Sequence, residues 1–443
     1  MICPLKIGLY GKVITGWVLI LLLFPKGDLC AEQDVEALTR EVEALKNRIS
    51  ELETLKERLQ RLENALKAAR KVQSSPTSSS IESDIDEKAG KIDLGGAVRF
   101  NYVYREFQAN SRSKGGDFEF DLFRLNVDGQ YHDLLVSAEY RWYSFMNVIH
   151  HGWIGYDFSD TWQGQFGITK VPFGILPFAS HSWWFGIPYY IGLEDDYDMG
   201  VKFVREKAPW NLQLAFFKNG EWGDAGDTER YSFDVVKALE DENEETNQLN
   251  ARVAYTLDHG KVGSTELGIS GLWGQLYNET TDSFGSRWAW AAHLNGFYNR
   301  WNLMLEVAHY EHDPNNPAGV DEDTVTVGAF GTAFPVASKG TLLVANLSYE
   351  LPMEMGPVQS LTFYDDYSVL YKDEPGFDDT YINTVGILVT APPVYTYIDL
   401  ISGKNAPFLG VPKDIEGISM GLGPGEPDAD WETRFNINVG YYF

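Results

Sequence analysis

The sequence predicts an all-β protein, a transmembrane antiparallel β-barrel preceded by an α-helical coiled coil. Three observations lead there. From Ile92 onward, apolar and polar residues alternate with a period of two in runs of about ten residues. Aromatic residues gather at the ends of these runs, and Trp, Tyr and Phe make up 14% of the chain. The one long apolar run, at the N-terminus, is too short to cross a bilayer as a helix, so any crossing must be made by strands.

That N-terminal run is "VITGWVLILLLF", residues 13–24, preceded by Lys6 and Lys12 and followed by "DLCAEQ". Its twelve residues fall short of the roughly 20 a spanning helix needs, but suit the apolar core of an export signal over residues 1–31, with cleavage expected near Ala31. Cleavage there removes Cys3 and Cys30, the only two cysteines, and leaves no disulfide. The rival reading, Cys30 as a lipidated residue, lacks the small residue such a site wants beside it, because "GDL" precedes the cysteine.

Residues 32–71 follow another period. Val35, Leu38, Val42, Leu45, Ile49 and Leu52 recur at steps of three and four with charges between them, the a/d seam of a coiled coil. Leu55, Leu59, Leu62 and Leu66 continue it after a stammer. As helix, 35–66 would make a rod of about 48 Å. Residues 72–91, "VQSSPTSSSIESDIDEKAGK", read as a flexible tether, so the barrel is expected over 92–443.

Seventeen candidate strands can be marked from residue 92 onward, yet a single-chain bacterial barrel takes an even number. Short turns near 132–133, 159–160, 206–209, 258–263, 299–300, 351–357 and 392–393 alternate with longer loops at 107–116, 172–196, 219–248, 277–285, 372–380 and 403–430. The alternation stays in phase only if residues 323–334, "DTVTVGAFGTAF", belong to an outer loop. Sixteen strands result, with eighteen as the alternative count, and sixteen is large enough for an aqueous lumen.

The strand phases put Arg99, Arg105, Arg124, Arg141, Arg252, Arg287 and Arg434 on the polar, inward side, with Asp128, Glu139, Asp198, Glu306 and Glu432. Lumen placement is favoured because an Arg facing lipid at mid-membrane costs about 2–4 kcal/mol. About half of these charges are expected to pair across neighbouring strands. Residues 171–200, "VPFGILPFASHSWWFGIPYYIGLEDDYDMG", are unusually apolar for an outer loop and suit folding into the barrel mouth. Glu194, Asp195, Asp196 and Asp198 give that loop a one-sided charge, which facing wall arginines would turn into a transverse field across a constriction. Trp183, Trp184, Tyr189 and Tyr190 either line a sliding surface for solutes or pack the loop to the wall.

"GQFGITKVPFG", residues 164–174, followed by a long loop and "MGVKF", resembles the outer-membrane porins related to the phosphate-selective O and P type. The end "RFNINVGYYF" is similar to the closing strand of many such porins. The likeness runs loosely over 92–443, with "K-x-P-F-G" its specific part. It implies a 16-stranded barrel, a trimeric assembly, in some relatives an N-terminal coiled coil, and passive diffusion through the channel. Phosphate selectivity is not carried over, because that type relies on Arg and Lys on its constriction loops and inner walls, and 172–196 has neither. The closing Phe443 resembles the signal read by the outer-membrane assembly machinery.

Charge narrows the partners. Of 36 basic and 64 acidic residues, 14 of each fall in the first 91, leaving 22 and 50 for the rest, so the net −28 lies in the barrel and excludes nucleic acid. Residues 220–245 hold ten acids against Arg230 and Lys237 and read as a solvated outer loop. A divalent cation bridging that loop to lipopolysaccharide is conceivable, but the spacing matches no metal motif, so no metal or cofactor is expected. His150, His151, His293, His309 and His312 come without a G-x-S-x-G or H-E-x-x-H pattern, so no enzyme is expected. Outer-membrane lipid, lipopolysaccharide and the cell wall are the expected neighbours. The rivals to a channel are a structural anchor using the coiled coil and an adhesin or receptor displaying its loops.

Overall fold

The structure is a computed structural model that describes Lys46 and residues 90–223, 226–238, 242–410 and 420–443. The export signal expected over 1–31 lies outside the described residues, as do the coiled coil and linker apart from Lys46, Gly90 and Lys91. The first strands are β1 (Lys91–Arg105), β2 (Asp117–Tyr131), β3 (Leu134–Tyr143), β4 (Asn147–Ser159), β5 (Trp162–Lys170), β6 (Tyr197–Lys207) and β7 (Trp210–Asn219). Next come β8 (Asp234–Val235), β9 (Asn243–Asp258), β10 (Gly263–Asn278), β11 (Ser283–Tyr298), β12 (Trp301–Asp313), β13 (Thr324–Ala329) and β14 (Thr332–Ala337). The chain finishes with β15 (Lys339–Met355), β16 (Val358–Lys372), β17 (Thr380–Ala391), β18 (Val394–Lys404) and β19 (Glu432–Tyr442).

Sixteen of these close into one antiparallel barrel, and β8, β13 and β14 form a separate three-stranded sheet. The 323–334 stretch is therefore outside the wall, as its phase required. The seam is made by β19 against β1, with Tyr442 opposite Ala97 and Arg434 opposite Arg105. Gly96 and Phe443 exchange backbone hydrogen bonds of 2.9 and 3.1 Å there. A side chain at Gly96 would stand 2.5 Å from the Arg124 carbonyl and 2.6 Å from the Phe443 ring, so glycine lets the closing residue dock.

The period of two sorts the wall. Leu249 and Val253 on β9, Ile269 and Trp273 on β10, and Leu343 and Leu347 on β15 all face outward and are exposed. Between them Gln248, Asn250 and Arg252 point inward and are buried. Aromatics mark both rims. Trp210 with Tyr255 and Trp301 with Tyr349, each pair 4.7 Å apart, stand at the short-turn end. Tyr102 with Phe118 at 5.5 Å and Tyr277 with Phe284 at 5.3 Å stand at the loop end. An apolar outer band between aromatic girdles is the surface of a transmembrane barrel. One connection differs from expectation: β10 runs to Asn278 and β11 starts at Ser283, so the loop expected at 277–285 is a tight turn between two long strands.

Replacing Ile269, outward at mid-strand, by Arg is expected to destabilise the barrel by about 2–4 kcal/mol in lipid vesicles. Denaturant unfolding measures this, and an unchanged midpoint would mean that this face does not meet acyl chains.

Candidate functional site

The loop between β5 and β6 turns into the barrel and is held to its wall residue by residue. Its first anchor is Gly174, whose N–H donates to Ser270 Oγ at 2.9 Å and whose carbonyl accepts from Arg252 Nε at 2.8 Å. Gly174 has φ of 56°, and a Cβ there would sit 2.5 Å from Glu306 Oε2, so only glycine fits against the wall. Glu306 accepts the next N–H, from Ile175, at 2.8 Å. Further on, Asn346 donates to the Ala179 carbonyl at 2.5 Å. Asp366 on β16 accepts the backbone N–H groups of His181 and Ser182 at 2.7 and 2.8 Å. The His181 ring bridges Asp366 and Asn302, 2.7 Å to each. Ile187 N–H donates to Ser368 Oγ at 3.0 Å.

In the closed ring β16 stands eight strands from β5 in either direction. A loop that starts at β5 and is pinned at Asp366 is therefore a chord across the full width of the lumen. Its tip reaches further, where Arg434 on β19 lies over the rings of Trp184 and Trp183 at 4.6 and 5.8 Å. Trp184, Tyr189 and Tyr190 are buried in one apolar cluster with Tyr231, Phe233, Val327 and Phe334, while Trp183 is half-buried against it. Three of the four loop aromatics thus pack the loop.

The chord sorts the predicted arginines. Arg99, Arg105, Arg124, Arg141 and Arg434 occupy adjacent strands β1, β2, β3 and β19. Arg105 stands opposite Arg434, and Arg124 opposite Arg141. Like charges so placed are unfavourable unless compensated. Compensation comes from Asp121 to Arg99 at 2.8 Å, Glu119 to Arg105 at 3.1 Å, and Glu139 to Arg141 and Arg124 at 2.6 and 3.4 Å. The Arg99, Arg105 and Arg124 side chains stay 18, 22 and 24% exposed and face open lumen. Arg252 and Arg287 lie on the other side, buried, paired with Glu266 at 2.5 Å and with Glu245. Pairing is more complete than expected: six of the seven have a carboxylate partner, and Arg434 has aromatic faces instead.

The four loop acids sit elsewhere than across water from these arginines. Glu194 accepts the Ala179 N–H at 2.9 Å, and burial, with Glu306 nearby, pushes its carboxyl well above the usual carboxylate range. Asp195 pairs with Lys170 and accepts the Tyr231 hydroxyl at 2.5 Å. Asp196 and Asp198 are buried where the loop rejoins the wall at β6. The reason is local: "LEDDYD" forms the returning end of the chord, packed beneath the next loop. That next loop is also not the solvated segment its charge suggested, since residues 230–236 are all buried.

Other residues came together unannounced. His181, Asn302, Asn346 and Asp366 hold the chord, and the inward phase of β12, β15 and β16 was the signal that would have found the last three. Of the histidines, His151 lies 2.9 Å from Ser137 Oγ and 2.8 Å from His150. Its other ring nitrogen thus faces a second imidazole and not a carboxylate, which is no Ser–His–acid relay.

No family model and no curated protein sequence matches the chain. Solved structures do. The outer membrane channel DcaP of Acinetobacter baumannii superposes with a TM-score of 0.52 at 13% identity, covering 80% of this chain and 98% of that one. The trimer form of OmpT, an outer membrane protein of Vibrio cholerae, gives 0.51 at 15%, covering 80% and 100%. Salmonella typhi OmpF in complex with daunomycin gives 0.51 at 11%, covering 80% and 98%. At these identities the likeness shows a shared barrel fold.

Burial alone would lower the His181 pKa, but the hydrogen bond and charge of Asp366 outweigh it and hold it above the ordinary value. The stabilisation is therefore complete below the ordinary histidine pKa and is lost as pH rises through the raised one. Unfolding of the protein beside His181→Gln, between about pH 5 and pH 9, is expected to show a gap of about 1.5–3 kcal/mol at the acid end that closes with rising pH. A gap independent of pH would contradict the charged pair.

Proposed function

We propose that this chain is a porin of the bacterial outer membrane, a water-filled channel through which small hydrophilic solutes diffuse passively. The observation that carries the reading is the chord: a loop pinned from Gly174 to Ile187 narrows a sixteen-stranded lumen and leaves Arg99, Arg105 and Arg124 of β1 and β2 partly exposed beside it. The barrel fold shared with a channel and other outer-membrane proteins supports it. Selection in such a passage rests on size and on the field between wall arginines and their carboxylates. With each lumen-exposed arginine paired and the outer loops acidic, the passage is mildly cation-preferring or neutral.

The assembly belongs to the same proposal. Residues 32–71 act as a coiled coil and 72–91 as its tether, reaching toward the cell wall, and the barrels form a homotrimer. One surface feature favours a protein neighbour. Asp365, exposed at mid-strand on β16, shares the outward face with Phe363, Leu347 and Val385. Asn383 donates to it at 2.6 Å. A carboxylate in that position is better placed against another subunit than against acyl chains.

Planar-bilayer recording of the purified protein tests the channel. Steady conductance steps grouped in threes are expected, with a reversal potential in a salt gradient near zero or slightly toward cations. Replacing Arg99, Arg105 and Arg124 together by Ser is expected to move that potential clearly toward cations. A silent protein would sink the channel reading, and strong anion selectivity would sink the charge assignment.

A further inference from the structure

Where the chord rejoins the wall, Asp196 and Asp198 meet Asp234 of β8, with one carboxylate oxygen from each lying within 4.8 Å of the other two. Asp198 and Asp234 are each 1% exposed. Glu221 and Glu245 border the group, whose cations are Arg230, 2.7 Å from Asp234, and Arg287, paired with Glu245. Ionised, the five carboxyl groups would outnumber the two guanidinium groups by three in a dry interior. Burying such charge is costly unless something positive joins it.

The pattern of satisfied atoms points to what joins. Asp196 Oδ1, Asp198 Oδ1 and Asp234 Oδ1 are buried with no hydrogen-bond partner. Independently, Gln248 of β9, 2% exposed, brings a neutral amide onto the cluster, with Nε2 3.1 Å from Asp198 Oδ2 and with Oε1 unpartnered. Buried polar atoms are satisfied in native proteins, so lone oxygens on three clustered carboxylates, with another on the amide that touches them, ask for a partner. Oxygen donors alone, several of them carboxylate, describe the ligand shell of a hard cation. The three carboxylates each place an oxygen within 4.8 Å of the others, near enough to share one ion. Mg2+ suits the group less, because it keeps several waters and demands a tighter octahedron.

We propose that Asp196, Asp198, Asp234 and the Gln248 carbonyl bind one Ca2+ ion that staples the returning end of the chord to the neighbouring loop and to the wall. The three carboxylates come from two loops and a strand end, so no sequence motif spells the site. Ca2+ from outside the cell would then hold the constriction in place, independently of which solute passes.

The test uses the full-length protein in detergent, stripped with a chelator and titrated with CaCl2 or MgCl2 in a calorimeter, with thermal unfolding in parallel. One saturable Ca2+ site per chain is expected, with Mg2+ at least about tenfold weaker, and Tm higher in Ca2+ than in chelator by about 3 °C or more. In Asp196→Asn/Asp198→Asn, which leaves the Asp234 pair with Arg230 intact, the site disappears. In chelator that variant is expected to melt above the unsubstituted protein, because the repulsion is gone. A purely hydrogen-bonding role for these aspartates predicts the reverse order. No saturable site in the unsubstituted protein, equal melting with and without Ca2+, or a site that survives in the variant would each overturn the proposal.

Discussion

Everything in this molecule depends on one requirement: in hydrocarbon, each backbone N–H and C=O must find a partner within the protein. Sixteen strands meet it only by closing, and the closure falls on the register of β19 against β1, where Gly96 makes room for Phe443. Once the ring is closed, the alternation of side chains leaves two opposite environments. The outer face must be largely apolar, and polar or charged side chains are driven inward, with Asp365 on β16 an exception.

The inward face then becomes a scaffold for a second structure. Ser270, Glu306, Asn346, Asp366 and Ser368 project from five positions on four strands and capture the backbone of a single loop. Because these contacts are main chain to side chain, the apolar side chains of the loop are free to pack against the second loop and the β13–β14 hairpin. The result is a lumen filled on one side, with Arg99, Arg105 and Arg124 left partly exposed on the other. The shape of the lumen follows from where hydrogen-bonding side chains stand on strands far from β5.

The barrel was legible in the sequence because its signal repeats: period two, turn chemistry and rim aromatics recur strand after strand. Even the exclusion of "DTVTVGAFGTAF" from the wall followed from the alternation of turns. The infolding of 171–200 was legible from its composition, and the inward arginines from their phase. What was not legible depends on contacts between segments distant in sequence. Nothing near Asp196 announces Asp234, and the acids of 220–245 look like any solvated loop until Tyr231 and Phe233 are seen buried against Tyr189. Charge counted along a chain says what must be compensated, but not by which neighbour.

The central claim is that the arginine face of β1 and β2 lines the open passage, and cysteine accessibility tests it most directly. Arg124 points into the lumen and Leu125, its neighbour on β2, is exposed on the outer face. In bilayer recordings, a charged thiol reagent is predicted to reduce the current in discrete steps with Arg124→Cys. With Leu125→Cys, or with the unsubstituted chain, it should leave the current unchanged. Equal block at both positions, or block at neither, would contradict the account.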